Sequence, residues 1–74
     1  MKNYYEILRD LREDNEKTQA QIAEILNITR PQYQLYESGK RQFKIEHIYK
    51  LCLYYNVSAD YVLGLPEGLT FLKR

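Results

Sequence analysis

Cysteine, proline and glycine are scarce in this 74-residue chain, and each scarcity excludes something. One cysteine, Cys52, cannot close an internal disulfide or build a cysteine-rich metal site, and its apolar neighbours mark it as a small buried hydrophobe. Two prolines and three glycines fall at ends and turns, so long helical windows run uninterrupted and nothing marks a hairpin. No apolar run approaches the 18 or so residues of a membrane span, and no basic-then-apolar N-terminus indicates secretion. A cytoplasmic protein is therefore expected. Two triplets match a glycosylation pattern, Asn27-Ile28-Thr29 and Asn56-Val57-Ser58, but both read better as a turn followed by a helix cap. The net charge of +1 argues against a diffuse polycation, so any charged partner has to be met by a local basic face.

Enzymatic chemistry finds little to work with. His47 and Cys52 occur once each in this reading and lie five apart on one helical period, which points them to separated faces. A histidine beside Glu46, without a second histidine or a cysteine cluster, reads as an exposed helix residue and not as a metal ligand. No glycine loop that could cradle a phosphate is present. No enzyme, no metal, no cofactor and no small-molecule site is expected.

What is present fits one small domain, since 45% hydrophobic and 28% charged residues lie within the ordinary range of folded chains. At this length burial narrowly outweighs chain entropy, which leaves little room for an enclosed active site. The chain is read as all-α. Tyr4, Ile7, Leu8 and Leu11 make the apolar stripe of a first helix, with Glu6, Arg9, Asp10, Glu13 and Asp14 on its solvated faces. Thr18 caps a second helix, with Gln21 completing a capping box, and Ile22, Ala23, Ile25 and Leu26 recur on one face until Asn27. Thr29 caps a third, Pro31 sits in its first turn, Tyr33 and Tyr36 point inward, and Ser38-Gly39 ends it.

A loop of three cations without an acid follows, Lys40-Arg41-Gln42-Phe43-Lys44. A fourth helix places Ile45, Ile48, Leu51, Cys52 and Tyr55 at helical spacing and stops at Asn56. Ser58 caps a fifth, whose Tyr61, Val62 and Leu63 are expected to close over the core before Gly64 and Pro66. Residues 1–64 thus form the domain, and residues 65–74, with Leu69, Phe71 and Leu72, form a short apolar tail expected to dock or to dimerise. Among the eight tyrosines, Tyr4, Tyr33, Tyr36, Tyr55 and Tyr61 fall on inward periods, and Tyr5, Tyr49 and Tyr54 could form a half-exposed subunit patch. Stacking of single-stranded bases on these rings is the weaker reading.

The stretch TQAQIAEILNITRPQYQLYESGKRQ resembles the helix-turn-helix of the phage Cro and repressor type, the xenobiotic response element family, over about residues 5–64. Gln19, Ala23, the Asn27-Ile28-Thr29 turn, Glu37 and Gly39 fall at the family spacing, and NVSADYVLG resembles its closing helix. Asn27 stands where the family often has glycine, Pro31 lies early in the recognition helix, and Tyr33 and Tyr36 replace commoner aliphatics.

The resemblance implies a compact five-helix bundle of the lambda-repressor-like type, with the helix from Arg30 to Tyr36 in the major groove of double-stranded DNA. With Tyr33 and Tyr36 turned inward, the base-reading set is Thr29, Arg30, Gln32, Gln34 and Leu35, whose chemistries suit guanine, adenine and the thymine methyl. The resemblance gives Gln19, Lys40, Arg41 and Lys44 to backbone phosphates. It also pairs Glu37 with an arginine of the first helix, here Arg12, as a structural ion pair. The function implied is a sequence-specific transcriptional regulator, a repressor acting as a homodimer on a pseudo-palindromic operator. The rival is a protein-interaction module of the same fold, such as an antitoxin partner.

Overall fold

A computed structural model describes residues 2–64, and the tail at 65–74 lies outside the described residues. Five α-helices follow one another: α1 (Tyr4–Asp14), α2 (Gln19–Ile25), α3 (Arg30–Glu37), α4 (Ile45–Tyr55) and α5 (Ala59–Leu63). No strand occurs among the described residues, which form an all-α five-helix bundle.

Each helix starts and stops for local reasons. Thr18 and Thr29 both close reciprocal capping boxes. The Gln21 N–H donates to Thr18 Oγ1 at 3.1 Å and the Thr18 N–H to Gln21 Oε1 at 2.8 Å. The Gln32 N–H donates to Thr29 Oγ1 at 3.3 Å and the Thr29 N–H to Gln32 Oε1 at 2.9 Å. Two of the four orphan donors at each helix start are thereby satisfied. Ser58 Oγ accepts the Tyr61 N–H at 3.1 Å and caps α5 in the same sense. At the far ends, Asn27 (φ 58°) and Asn56 (φ 57°) take the left-handed conformation that asparagine tolerates. Glycine is required at position 39: its φ is 81°, and a Cβ there would stand 2.5 Å from the ring of Tyr5.

α2 packs on α3, α1 lies against α3 and α5, and α4 lies against α5. Leu8, Ile22, Tyr33, Leu51 and Val62, one from each helix, are fully buried and together form the centre of the core. Each such side chain contributes about 1.5–3 kcal/mol by leaving water. The inward tyrosines of α3 are matched by Phe43, which is buried although it lies in the cationic loop. Its ring stacks on Tyr36 at 5.1 Å and meets Tyr33 and Tyr4 edge-on at 6.0 and 6.1 Å. The Phe43 N–H also donates to the Tyr4 hydroxyl at 3.2 Å, so the loop is fastened to α1 by ring and backbone together.

Three expectations are corrected. His47 is 6% exposed and is a core residue, not a solvated one. It lies one turn after Phe43 and one turn before Leu51, and its ring meets Tyr36 edge-on at 5.3 Å. Burial holds its imidazole below the usual range, which favours the neutral form that such packing needs. Ile45, expected inward, is 86% exposed, because it lies about 120° around α4 from Leu51 at 100° per residue. In α5 only Val62 closes over the core. Tyr61 (58% exposed) and Leu63 flank it, each one residue away and so turned outward.

Candidate nucleic-acid interface

The site is built on α3, and what fixes α3 is a buried ion pair at its last residue. Arg12 Nε donates to Glu37 Oε2 at 2.9 Å and Arg12 Nη2 to Glu37 Oε1 at 2.9 Å, a two-pronged contact that sets distance and angle at once. The side chains are 13% and 6% exposed. Arg12 Nη1 donates further to the Lys17 carbonyl at 2.8 Å, so one guanidinium joins α1, the turn before α2, and the end of α3. Gln19 Nε2 adds a donation to Glu37 Oε1 at 3.1 Å. Burial alone would push the Glu37 carboxyl up, but these hydrogen bonds outweigh it and hold the group below the ordinary carboxylate range. The carboxylate therefore stays charged and satisfied in the interior, and turned away from the exposed side of α3.

The Tyr33 hydroxyl lies near the same carboxylate, yet finds no hydrogen-bond partner among the described residues. Burial first, and the neighbouring Glu37 carboxylate second, hold the phenol well above its usual range. A buried hydroxyl without a partner costs about 1–3 kcal/mol in lost hydration. Tyr33→Phe is thus expected to leave the urea midpoint unchanged or to raise it. A loss of stability above about 1 kcal/mol would reveal a partner for the hydroxyl in solution.

With Tyr33, Tyr36 and Glu37 inward, Thr29, Arg30, Gln32, Gln34 and Leu35 all lie on the exposed side of α3. They are not equivalent. Thr29 and Gln32 are engaged with each other in the capping box, which leaves the Gln32 amide NH2 pointing outward as a donor. Gln34 makes no side-chain hydrogen bond among the described residues, and it lines two shallow depressions side by side. One, of about 210 Å³, is bounded by Arg9, Gln19, Glu37 and Ser38. The other, of about 390 Å³, is bounded by Pro31, Leu35, Ser38 and Lys40.

Arg9 is the residue that sequence reasoning missed here, having been assigned to a solvated face. It lies five residues after Tyr4 on α1 and borders the α2–α3 groove beside Gln19 and Gln34. Its spacing of three from Arg12 was the available signal, since residues three apart share a helical face. Lys40, Arg41 and Lys44 are exposed on the shoulder after α3. The Arg41 N–H donates to the Leu35 carbonyl at 3.1 Å, and Lys44 is the N-cap residue of α4, so their backbones are fixed while their side chains reach outward.

A family model described as helix-turn-helix matches residues 8–62. An uncharacterized HTH-type transcriptional regulator of Bacillus subtilis (strain 168), YobD, is 34% identical over 64 residues, which are 86% of this chain and 57% of that protein. The crystal structure of a transcriptional regulator from Listeria innocua matches with a TM-score of 0.80 at 28% identity, over 92% of this chain and 64% of that one. The chain thus spans 57% and 64% of the lengths of these two relatives. With most of its length matched, and with two capped helices held at a fixed turn, the chain belongs to the helix-turn-helix family.

Proposed function

We propose that this protein is a sequence-specific double-stranded DNA-binding transcriptional regulator, acting as a repressor. The observation that carries this reading is the sorting of α3. Its inward residues are locked by the aromatic core and by Arg12, and its cap and first two turns present Thr29, Arg30, Pro31, Gln32, Gln34 and Leu35, all but Pro31 suited to a base edge. A helix laid in the major groove reads bases with that part of its length. Arg30 can fork onto guanine O6 and N7. Gln34, with both ends of its amide available, suits adenine N6 and N7, and Leu35 suits a thymine methyl. Gln32 is placed mainly as a donor, because one lone pair of its carbonyl oxygen already accepts the Thr29 N–H.

Phosphates are held on either side of this helix. Gln19, positioned by Glu37, and Arg9 beside it serve one strand, and the shoulder of Lys40, Arg41 and Lys44 serves the other. One subunit offers a small contact area, so two subunits act on a pseudo-palindrome with recognition helices about 34 Å apart. The protein then works in the cytoplasm, in keeping with the lack of any membrane-crossing helix among the described residues.

Selection of bound sites from random duplexes tests the reading, with an enriched, two-fold related motif as the expected result. Arg30→Ala is expected to relax preference at one position of each half-site, at a cost of about 1–3 kcal/mol for the preferred base. Lys40→Ala is expected to weaken all sequences about equally. Equal affinity for every duplex would refute sequence-specific reading, and tight binding to a protein with no duplex preference would favour the interaction module.

A further inference from the structure

α4 is apolar on two faces, and the bundle covers only one of them. Its inward face runs through His47, Leu51 and Tyr55. At 100° per residue, Cys52, Ile45, Tyr49 and Leu53 follow one another from about 100° to about 200° around the helix from Leu51, as a second face. Ile45, Tyr49 and Leu53 are exposed at spacings of four, and with Leu63 of α5 they border an open groove of about 450 Å³ floored by Ile48 and Cys52. An apolar helix face is ordinarily covered. This groove lies on α4 and α5 and includes no residue assigned to DNA.

We propose that the groove is the seat of the chain's own residues 65–74. Three observations favour that occupant. Leu63, on the rim, is two residues before the segment, and Gly64 between them takes a left-handed φ of 72°, which turns the chain at the end of α5. From Gly64, residues 69–72 can reach about 16–29 Å when extended, whereas α4 from Ile45 to Leu53 is only about 12 Å long. The whole stripe is within range. The spacings also agree. In an extended segment Leu69 and Phe71 fall on one side about 6.6 Å apart, with Thr70 turned to water. Successive residues of the α4 stripe, four apart, are separated by about 6.0 Å along the helix. Tethering adds a high effective concentration that a separate partner lacks.

The test is nuclear Overhauser contacts in the isotope-labelled 74-residue chain, at a concentration where sedimentation shows a monomer. Contacts from the Phe71 ring to Tyr49 and Leu53 are expected. Leu69→Ser with Phe71→Ser should erase them, shift the Leu53 methyls and raise binding of an apolar dye several-fold, with the α2–α3 contacts unchanged. The wild-type contacts stand as evidence even if that variant folds poorly. A monomer whose Phe71 ring makes no contact with α4 overturns the proposal. So does a dimer in which mixed labelling places those contacts between chains, or one in which Tyr49 and Leu53 pack on a second copy regardless of the tail.

Discussion

Arg12→Ala should remove about 3 kcal/mol of folding stability, since it leaves the Glu37 carboxylate buried without its guanidinium. Domains of this size hold about 5–15 kcal/mol in all. The loss corresponds to a fall in melting temperature of roughly 12–24 °C, at 4–8 °C per kcal/mol. Three hydrogen bonds disappear together: the two to Glu37, and the one to the Lys17 carbonyl that ties the turn before α2. An unchanged melting temperature would sink the claim that this pair anchors α3. Replacing both partners, Arg12→Met with Glu37→Leu, should recover most of the stability, because the cost lies in the stranded charge and not in the absence of the pair. DNA affinity should not recover with it. Gln19 would lose the carboxylate that orients its amide, and the end of α3 would lose its directional tie.

Acid separates the same contribution. The folded-state Glu37 carboxyl lies below its unfolded value, so the stability it contributes is fully present above the unfolded value of about 4.3 and is lost as pH falls through the lower folded one. The gap between the wild type and Arg12→Ala should therefore be wide at pH 7 and narrow below about pH 4. A gap that stays constant to low pH would show that the Arg12 side chain acts by packing alone.

The elements of this fold are legible in the sequence because their ends are written locally. Thr18 and Thr29 with glutamine three residues on, and Asn27 and Asn56 at stops, each act through the nearest turn of backbone. What escapes is decided by neighbours distant in sequence. The inward face of α4 was placed by hydrophobicity on Ile45, but His47 is inward because Tyr36 and Phe43 offer its ring two aromatic partners. Phe43 itself looks like part of a basic loop, and only the Tyr4 hydroxyl and the α3 rings show why a large apolar residue stands among cations. In α5 a helix of five residues has too little length for its period to select Val62 over Tyr61. The site divides in the same way. The outward set on α3 follows from its two inward tyrosines, whereas the spacing of Arg9 from Arg12 gives only a shared helical face, and its approach to Gln19 depends on how α1 packs on α2 and α3.

Duplex affinity should fall roughly 10³-fold between 50 and 200 mM salt if Lys40, Arg41 and Lys44 of two subunits each neutralise a phosphate, since six contacts give a slope of about −5 on logarithmic axes. The net charge of the chain is only +1, so a general polyelectrolyte attraction cannot supply such a slope. Most of it has to come from the shoulder, where three cations stand exposed within five residues of sequence and without an acid among them. Changing all three to glutamine should flatten the slope by about 5 and leave the ranking of base preferences at Arg30 and Gln34 in place, because phosphate contacts set affinity while base edges set sequence. The stability of the fold should be untouched, since none of the three side chains makes a hydrogen bond or ion pair among the described residues. Two results would overturn this assignment. A triple variant with the wild-type slope would shift the phosphate contacts to the opposite rim, where Arg9 stands beside Gln19. A variant that lost base preference together with affinity would mean that the three side chains also position α3 on the duplex and do not merely hold the strand beside it.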